Sequence, residues 1–243
     1  MGSDGDVLSK LENKYSMNKE ELSKLYDDIM NSCDFKIENS EKEIIKSILG
    51  EISLDENNRI IVPALWDKRV IHLLPNNFWL CKNILNSIHK RYKNDPNKLE
   101  QYDSVIAQQL RDNIISPSEP IEILKDRKDV SFIAHKAVFK PDAESTKCRI
   151  VLLANLCEKG NGKNLSHNGV SIPGAQMNNK LETICTLNRF NKYLLIYDLE
   201  KAFLQLKITP NDSDKLHFLW FKDIKNQNFE LTAFKFNRVP FGL

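Results

Sequence analysis

Cysteine is sparse in this chain and badly placed for either of its structural uses. The five, Cys33, Cys81, Cys148, Cys157 and Cys185, are odd in number and far apart. No CxxC pair occurs, and no His/Cys cluster has zinc-ligand spacing. Neither a disulfide framework nor a zinc knuckle is supported, and reduced thiols of an intracellular protein are expected. Long apolar runs are also missing, so no stretch approaches the length needed to cross a bilayer. The opening MGSDGDVLSKLENKYS lacks the apolar centre of a secretion signal. A soluble, intracellular chain is the expectation, with no membrane partner. Charge of one sign is lacking too. The formal net charge is only +2, so composition alone does not mark a polyanion binder, and local patches must be weighed instead. No internal repeat or low-complexity tract is present.

What is there is 243 residues with 41% apolar and 28% charged content, enough for one large domain or two small ones. The first third reads as amphipathic helix. Asn18 with Glu21, and Ser40 with Glu43, are capping pairs ahead of apolar positions at helical spacing. Asn57-Asn58 opens a short strand, Arg59-Ile60-Ile61-Val62, that Pro63 ends. Phe78, Cys81, Ile84, Leu85 and Ile88 predict a helix with a basic far end, His89, Lys90, Arg91 and Lys93. Asp95-Pro96 then caps a second helix carrying Leu99, Tyr102, Val105, Ile106 and Leu110. The two are expected to form an antiparallel pair.

From Pro117 onward the pattern turns to strands. Residues 130–140 read as one extended segment, 141–146 as a turn, and 147–153 as the returning strand of a hairpin with basic stems. A helix over 179–190 precedes the apolar run Tyr193-Leu194-Leu195-Ile196. A strand-like stretch follows from Phe203. Residues 216–221 and 229–236 predict a β-ribbon.

The chemistry concentrates at Tyr197-Asp198-Leu199-Glu200-Lys201-Ala202-Phe203. A carboxylate at the exit of an apolar strand suits Mg²⁺, a hard cation that keeps coordination sites for substrate phosphates. Two such ions about 3.5–4 Å apart activate a hydroxyl and stabilise a leaving pyrophosphate. Alone, Asp198 reads as a turn or capping residue. Phe203, five residues on, is of the size to press on C2′ of a nucleotide sugar, although core packing is the commoner use of a Phe. Lys140 and Arg149 stem from the two hairpin strands. Lysine supplies a point charge for phosphate, and arginine can also lay its plane on a base. Taken singly, they are better read as edge charges that deter aggregation.

In order, these parts (basic hairpin, loop, helix, Asp-bearing strand with trailing aromatic, ribbon, then Val239-Pro240-Phe241-Gly242-Leu243) resemble a reverse transcriptase, most closely that of Pao/BEL long-terminal-repeat retrotransposons. The resemblance runs from about Glu41 to Leu243. It includes His135-Lys136-Ala137-Val138-Phe139-Lys140 and Lys147-Cys148-Arg149-Ile150-Val151. It implies an RNA-directed DNA polymerase domain of a Pol polyprotein. Asp198 and the Leu199 carbonyl would hold Mg²⁺, and the amides of Lys201 and Ala202 would meet the triphosphate of a dNTP. Phe203 would gate the sugar, Lys140 and Arg149 would grip the incoming nucleotide, and Phe241 and Gly242 would lie beneath it. Implied partners are an RNA or DNA template with its primer and the remainder of the polyprotein. The implied fold is α+β: a helical extension (1–58), fingers (59–165), the first part of a palm (166–208), a fingers ribbon (209–239) and the start of a returning palm (240–243).

Two departures stand out. Leu153 occupies a place where family members commonly carry Asp. No Asp-Asp pair stands in an aromatic-x-Asp-Asp context, and Asp27-Asp28, on the expected upstream helix, is read as surface. One carboxylate cannot hold two divalent ions against their mutual repulsion, so this polypeptide alone is expected to be inactive. The alternative is a catalytically dead remnant that at most binds nucleic acid or a protein partner.

Overall fold

A computed structural model of the chain describes residues 46–142, 147–158, 165–173, 199–225 and 230–242. The predicted helices at 18–30 and 179–190, the strand ending at Asp198 and Asp198 itself lie outside the described residues. The chain divides into two compact units, Met1–Val62 and Pro63–Leu243.

In the first unit, residues 46–51 are helical, where the Ser40/Glu43 signal places the second helix. Strand β1 (Ser53–Leu54) pairs antiparallel with β2 (Ile60–Val62). The turn between them is organised by Asp55, whose carboxylate accepts from the backbone N–H of Asn57 at 2.9 Å and of Arg59 at 2.8 Å. Asn58 takes the left-handed φ of 57° that asparagine tolerates. The sequence locates β2 but not β1, whose two residues carry too little pattern.

The second unit opens on two helices, α1 (Phe78–Tyr92) and α2 (Pro96–Arg111). The Asp95 side chain accepts from Lys98 N–H, and Pro96 sits in the first turn where no intrahelical donor is needed. Helix α1 starts differently. Asn76 Oδ1 accepts from Phe78 N–H at 3.1 Å, and the distant Glu158 Oε1 accepts from Leu80 N–H at 3.1 Å. Both helices turn their apolar stripes inward: Phe78, Cys81, Leu85 and Ile88 from one, Leu99, Tyr102 and Ile106 from the other.

Three strands form one antiparallel sheet in the order β3 (Ile115–Pro117), β8 (Leu231–Phe236), β7 (His217–Phe221). The expected β-ribbon is therefore the larger part of a three-stranded sheet. All five residues of β7, His-Phe-Leu-Trp-Phe, are buried, so this strand is covered on both faces. A second, two-stranded sheet pairs β4 (His135–Phe139) with β5 (Cys148–Leu152). Short helical turns α3 (Ile121–Leu124), α4 (His167–Val170), α5 (Ala202–Gln205) and α6 (Pro210–Ser213), a 3-10 turn at Ile71–Leu73 and the short strand β6 (Lys207–Ile208) complete the elements of this unit among the described residues. The α+β class expected from the sequence holds. No described helix is long and apolar enough to cross a membrane.

Two expectations need correction. Residues 130–140 do not form a single strand of the hairpin. Residues 130–134 are all buried and run along the start of β7, with Phe132 bridging His217 in parallel, and β4 begins only at His135. The stretch from Phe203 to Ile208 is a strand only at its end, Lys207–Ile208. Before that, Lys201 takes φ 51° and the chain coils into α5, with Leu204 N–H donating to the Lys201 carbonyl at 2.8 Å.

Candidate functional site

Antiparallel register decides which side chains of the β4–β5 hairpin share a face. Val138 stands opposite Arg149, and Lys136 opposite Val151. Lys140 N–H donates to Lys147 carbonyl at 2.8 Å, which carries the pairing one step further. Directly opposed residues lie on the same side of a sheet, so Lys136, Val138, Lys140, Lys147, Arg149 and Val151 form one face. All six are exposed. The other face, His135, Ala137, Phe139, Cys148, Ile150 and Leu152, packs on the core. Phe139 meets the ring of Tyr92, at the end of α1, with centroids 5.6 Å apart. Exposed Lys90, Arg91 and Lys93 flank that tyrosine.

None of the four cations on the hairpin face has an ion-pair partner among the described residues. Like charges held across from one another are mildly destabilising, so the arrangement is poor as a structural device. It is well matched to a polyanion, whose phosphates would relieve the repulsion. The sequence singles out Lys140 and Arg149. Lys136 and Lys147 join them only through the register, although strict alternation along each strand carries the signal. Leu153, where the resemblance leads one to expect an acid, packs partly buried against the core, and its N–H donates to Ala134 at 2.7 Å.

The root of the hairpin is fixed by a buried polar network. His135 Nε2–H donates to the Leu219 carbonyl at 2.9 Å, which leaves Nδ1 to accept from the Tyr102 hydroxyl. Burial holds His135 neutral, with its pKa lowered to about 4, and pushes the Tyr102 phenol well above its ordinary value. The next residue on α2, Asp103, accepts from Trp220 Nε1–H at 2.8 Å. Two further buried histidines reach the approach to β7. His167 donates through Nε2 to the Lys215 carbonyl at 2.9 Å, and burial lowers its pKa to about 4. His217 donates through Nδ1 to the Asp214 carbonyl at 3.1 Å and accepts from Ser118 Oγ at 2.7 Å. None of these histidine roles is foreseen by the sequence reading.

The remaining predicted residues sit on a second surface. Leu199 is 74% exposed, Phe203 53% and Phe241 77%. Phe203 and Phe241, far apart in sequence, meet edge to face with ring centroids 5.8 Å apart. Lys201, in its left-handed conformation, pairs with Glu200 at 3.4 Å, and Ala202 begins α5. Gly242 has φ 103°, a region that a side chain would strain, and a Cβ there would meet nothing within 4 Å. Among the described residues, no hydrogen bond, ion pair or ring contact joins this aromatic pair to the hairpin face. Nor does any group of three His, Cys, Asp or Glu side chains gather where it could hold a metal. Comparison with known proteins adds no relative: no family model matches the chain, and no curated protein does.

Proposed function

We propose that this chain is part of an RNA-directed DNA polymerase of the reverse-transcriptase kind, the fingers and opening palm of a retrotransposon Pol polyprotein. The observation that carries the reading is the exposed hairpin face. It sets Lys140 and Arg149 side by side with Lys136 and Lys147, without an ion-pair partner among the described residues, on a strand pair whose other face is anchored in the core. Four cations of this kind suit a phosphate chain or a triphosphate better than a protein surface that pairs its charges. The contact between Phe203 and Phe241 supports the same reading, since the two motifs assigned to one nucleotide site lie beside each other. In the intact enzyme Asp198 and the Leu199 carbonyl would hold Mg²⁺, which supplies charge neutralisation at the reacting phosphates. Phe203 would exclude a ribose hydroxyl.

The aromatic-x-Asp-Asp pair that would complete a two-ion site does not occur in these 243 residues, so the polypeptide by itself is expected to bind without extending. The test is retention of a labelled primer–template across a salt series. Four phosphate contacts on a duplex give a slope of log affinity against log salt of about −3 to −4. Binding that ignores salt, or that survives neutralising the hairpin, overturns the reading. Extension of the primer by the purified chain overturns the inactivity.

A further inference from the structure

His135 is the last core residue before β4 runs out toward Lys140. Its side chain is 4% exposed and is bonded on both sides, to Tyr102 of α2 and to the Leu219 carbonyl of β7. Its ring also packs on Phe218 at 5.2 Å and Trp220 at 5.7 Å, and Trp220 is itself pinned by Asp103. One position further on, Lys136 is exposed, and from there the strand alternates outward and inward. Beyond the root, the hairpin rests on the core through Phe139, Cys148 and Ile150, contacts that are apolar and hence without directional preference. The two hydrogen bonds of His135 are the directional side-chain constraints at the base of the strand, beside the backbone bonds of Ile133 to His217 and of Leu153 to Ala134.

We infer that His135, oriented by Tyr102, is a positioning residue that aims the cationic face of the β4–β5 hairpin at its phosphate ligand. The inference rests on the nucleic-acid reading given above. It makes the Tyr102 hydroxyl, buried and remote from any ligand, a determinant of affinity through Lys140 and Arg149.

The experiment uses the full chain and a labelled DNA duplex with a recessed 3′ end. Tyr102→Phe keeps the ring against Trp220 and removes only the hydroxyl, leaving a buried acceptor unpaired. Roughly tenfold weaker binding is expected. Amide exchange is expected to quicken in β4 and β5 but not in β7 and β8. The decisive arm is a double-mutant cycle: with Lys140 and Arg149 both changed to Ala, Tyr102→Phe has no further effect on affinity. The same penalty in both backgrounds, or unchanged hairpin exchange, overturns the proposal. Should Tyr102→Phe not fold, His135→Gln, whose amide nitrogen can donate to Leu219 but which has no atom at the Nδ1 position that accepts from Tyr102, enters the same cycle. If the unmodified chain retains no duplex, the nucleic-acid reading falls. The exchange arm then decides the positioning by itself, with faster hairpin exchange upholding it and unchanged exchange ending it.

Discussion

The two antiparallel ribbons of this protein are built to opposite rules. In β7–β8 every residue of the first strand is buried, and the charges at its ends are matched. Lys222 pairs with Glu230 at 3.0 Å, and Lys235 with Asp214 at 3.5 Å. In β4–β5 one face is open, and its four cations have no acidic partner among the described residues. The first ribbon spends its sequence on packing. The second keeps only one face for packing and leaves the other charged, at some cost to its own stability. Three buried histidines divide along the same line. His135, His167 and His217 all bond to backbone carbonyls of β7 or of the turn leading into it. None faces the open side of the hairpin.

That contrast can be broken most forcefully with acid. His135 and His167 have folded pKa values of about 4 against an ordinary 6.5. The unfolded chain therefore binds more protons between those limits. Their contribution is complete above about pH 6.5 and is lost as the pH falls to about 4, at most about 3 kcal/mol for each histidine. Denaturant titrations at stepped pH should show stability falling across this window. A stability that stays level from pH 7 to pH 4 would mean that the histidines are not held neutral around β7.

Core truncation comes next. Trp220→Ala removes a fully buried ring and its bond to Asp103, and should cost about 3–5 kcal/mol by denaturant melt. Val138→Ala on the open hairpin face should stay within about 0.5 kcal/mol. Equal costs would erase the distinction between the ribbons.

Charge removal should act in the reverse sense. Lys140→Ala and Arg149→Ala should leave the melting temperature in place, weaken duplex binding by about 1–3 kcal/mol together and reduce the salt slope by about 2. Lys147→Glu is a finer probe. It relieves repulsion with Lys140 and should stabilise the hairpin by a few tenths of a kcal/mol, while weakening the duplex complex. The smallest effect belongs to Lys222→Ala. The partners are 59% and 66% exposed, so the pair lies in the range of exposed ion pairs and its loss should barely move the melt.

Helices α1 and α2 were legible because their apolar periodicity is long and Asp95-Pro96 is a strong start signal. The hairpin and the ribbon were legible because alternation and turn residues coincide there. β1 and β3, at two and three residues, are too short to carry a period and exist only because a partner strand supplies their hydrogen bonds. α5 was misread because the alternating run that ends in strand β6 begins with a single helical turn, too short to show a period of its own. Among site residues, Lys140 and Arg149 stood out by charge, whereas Lys136 and Lys147 needed the register before they could be placed on the same face.

What the sequence determined by itself is local: where helices start, which runs are extended, which residues carry charge and which motifs lie in order along the chain. Those properties follow from propensity, capping and side-chain chemistry, which act within a few residues. Only the tertiary structure decided that Phe203 meets Phe241, that His135 is bonded between α2 and β7, and that four cations share one face of the hairpin. Each of these depends on distant segments brought together by the burial of a common core, and no local pattern encodes which segment a strand will meet.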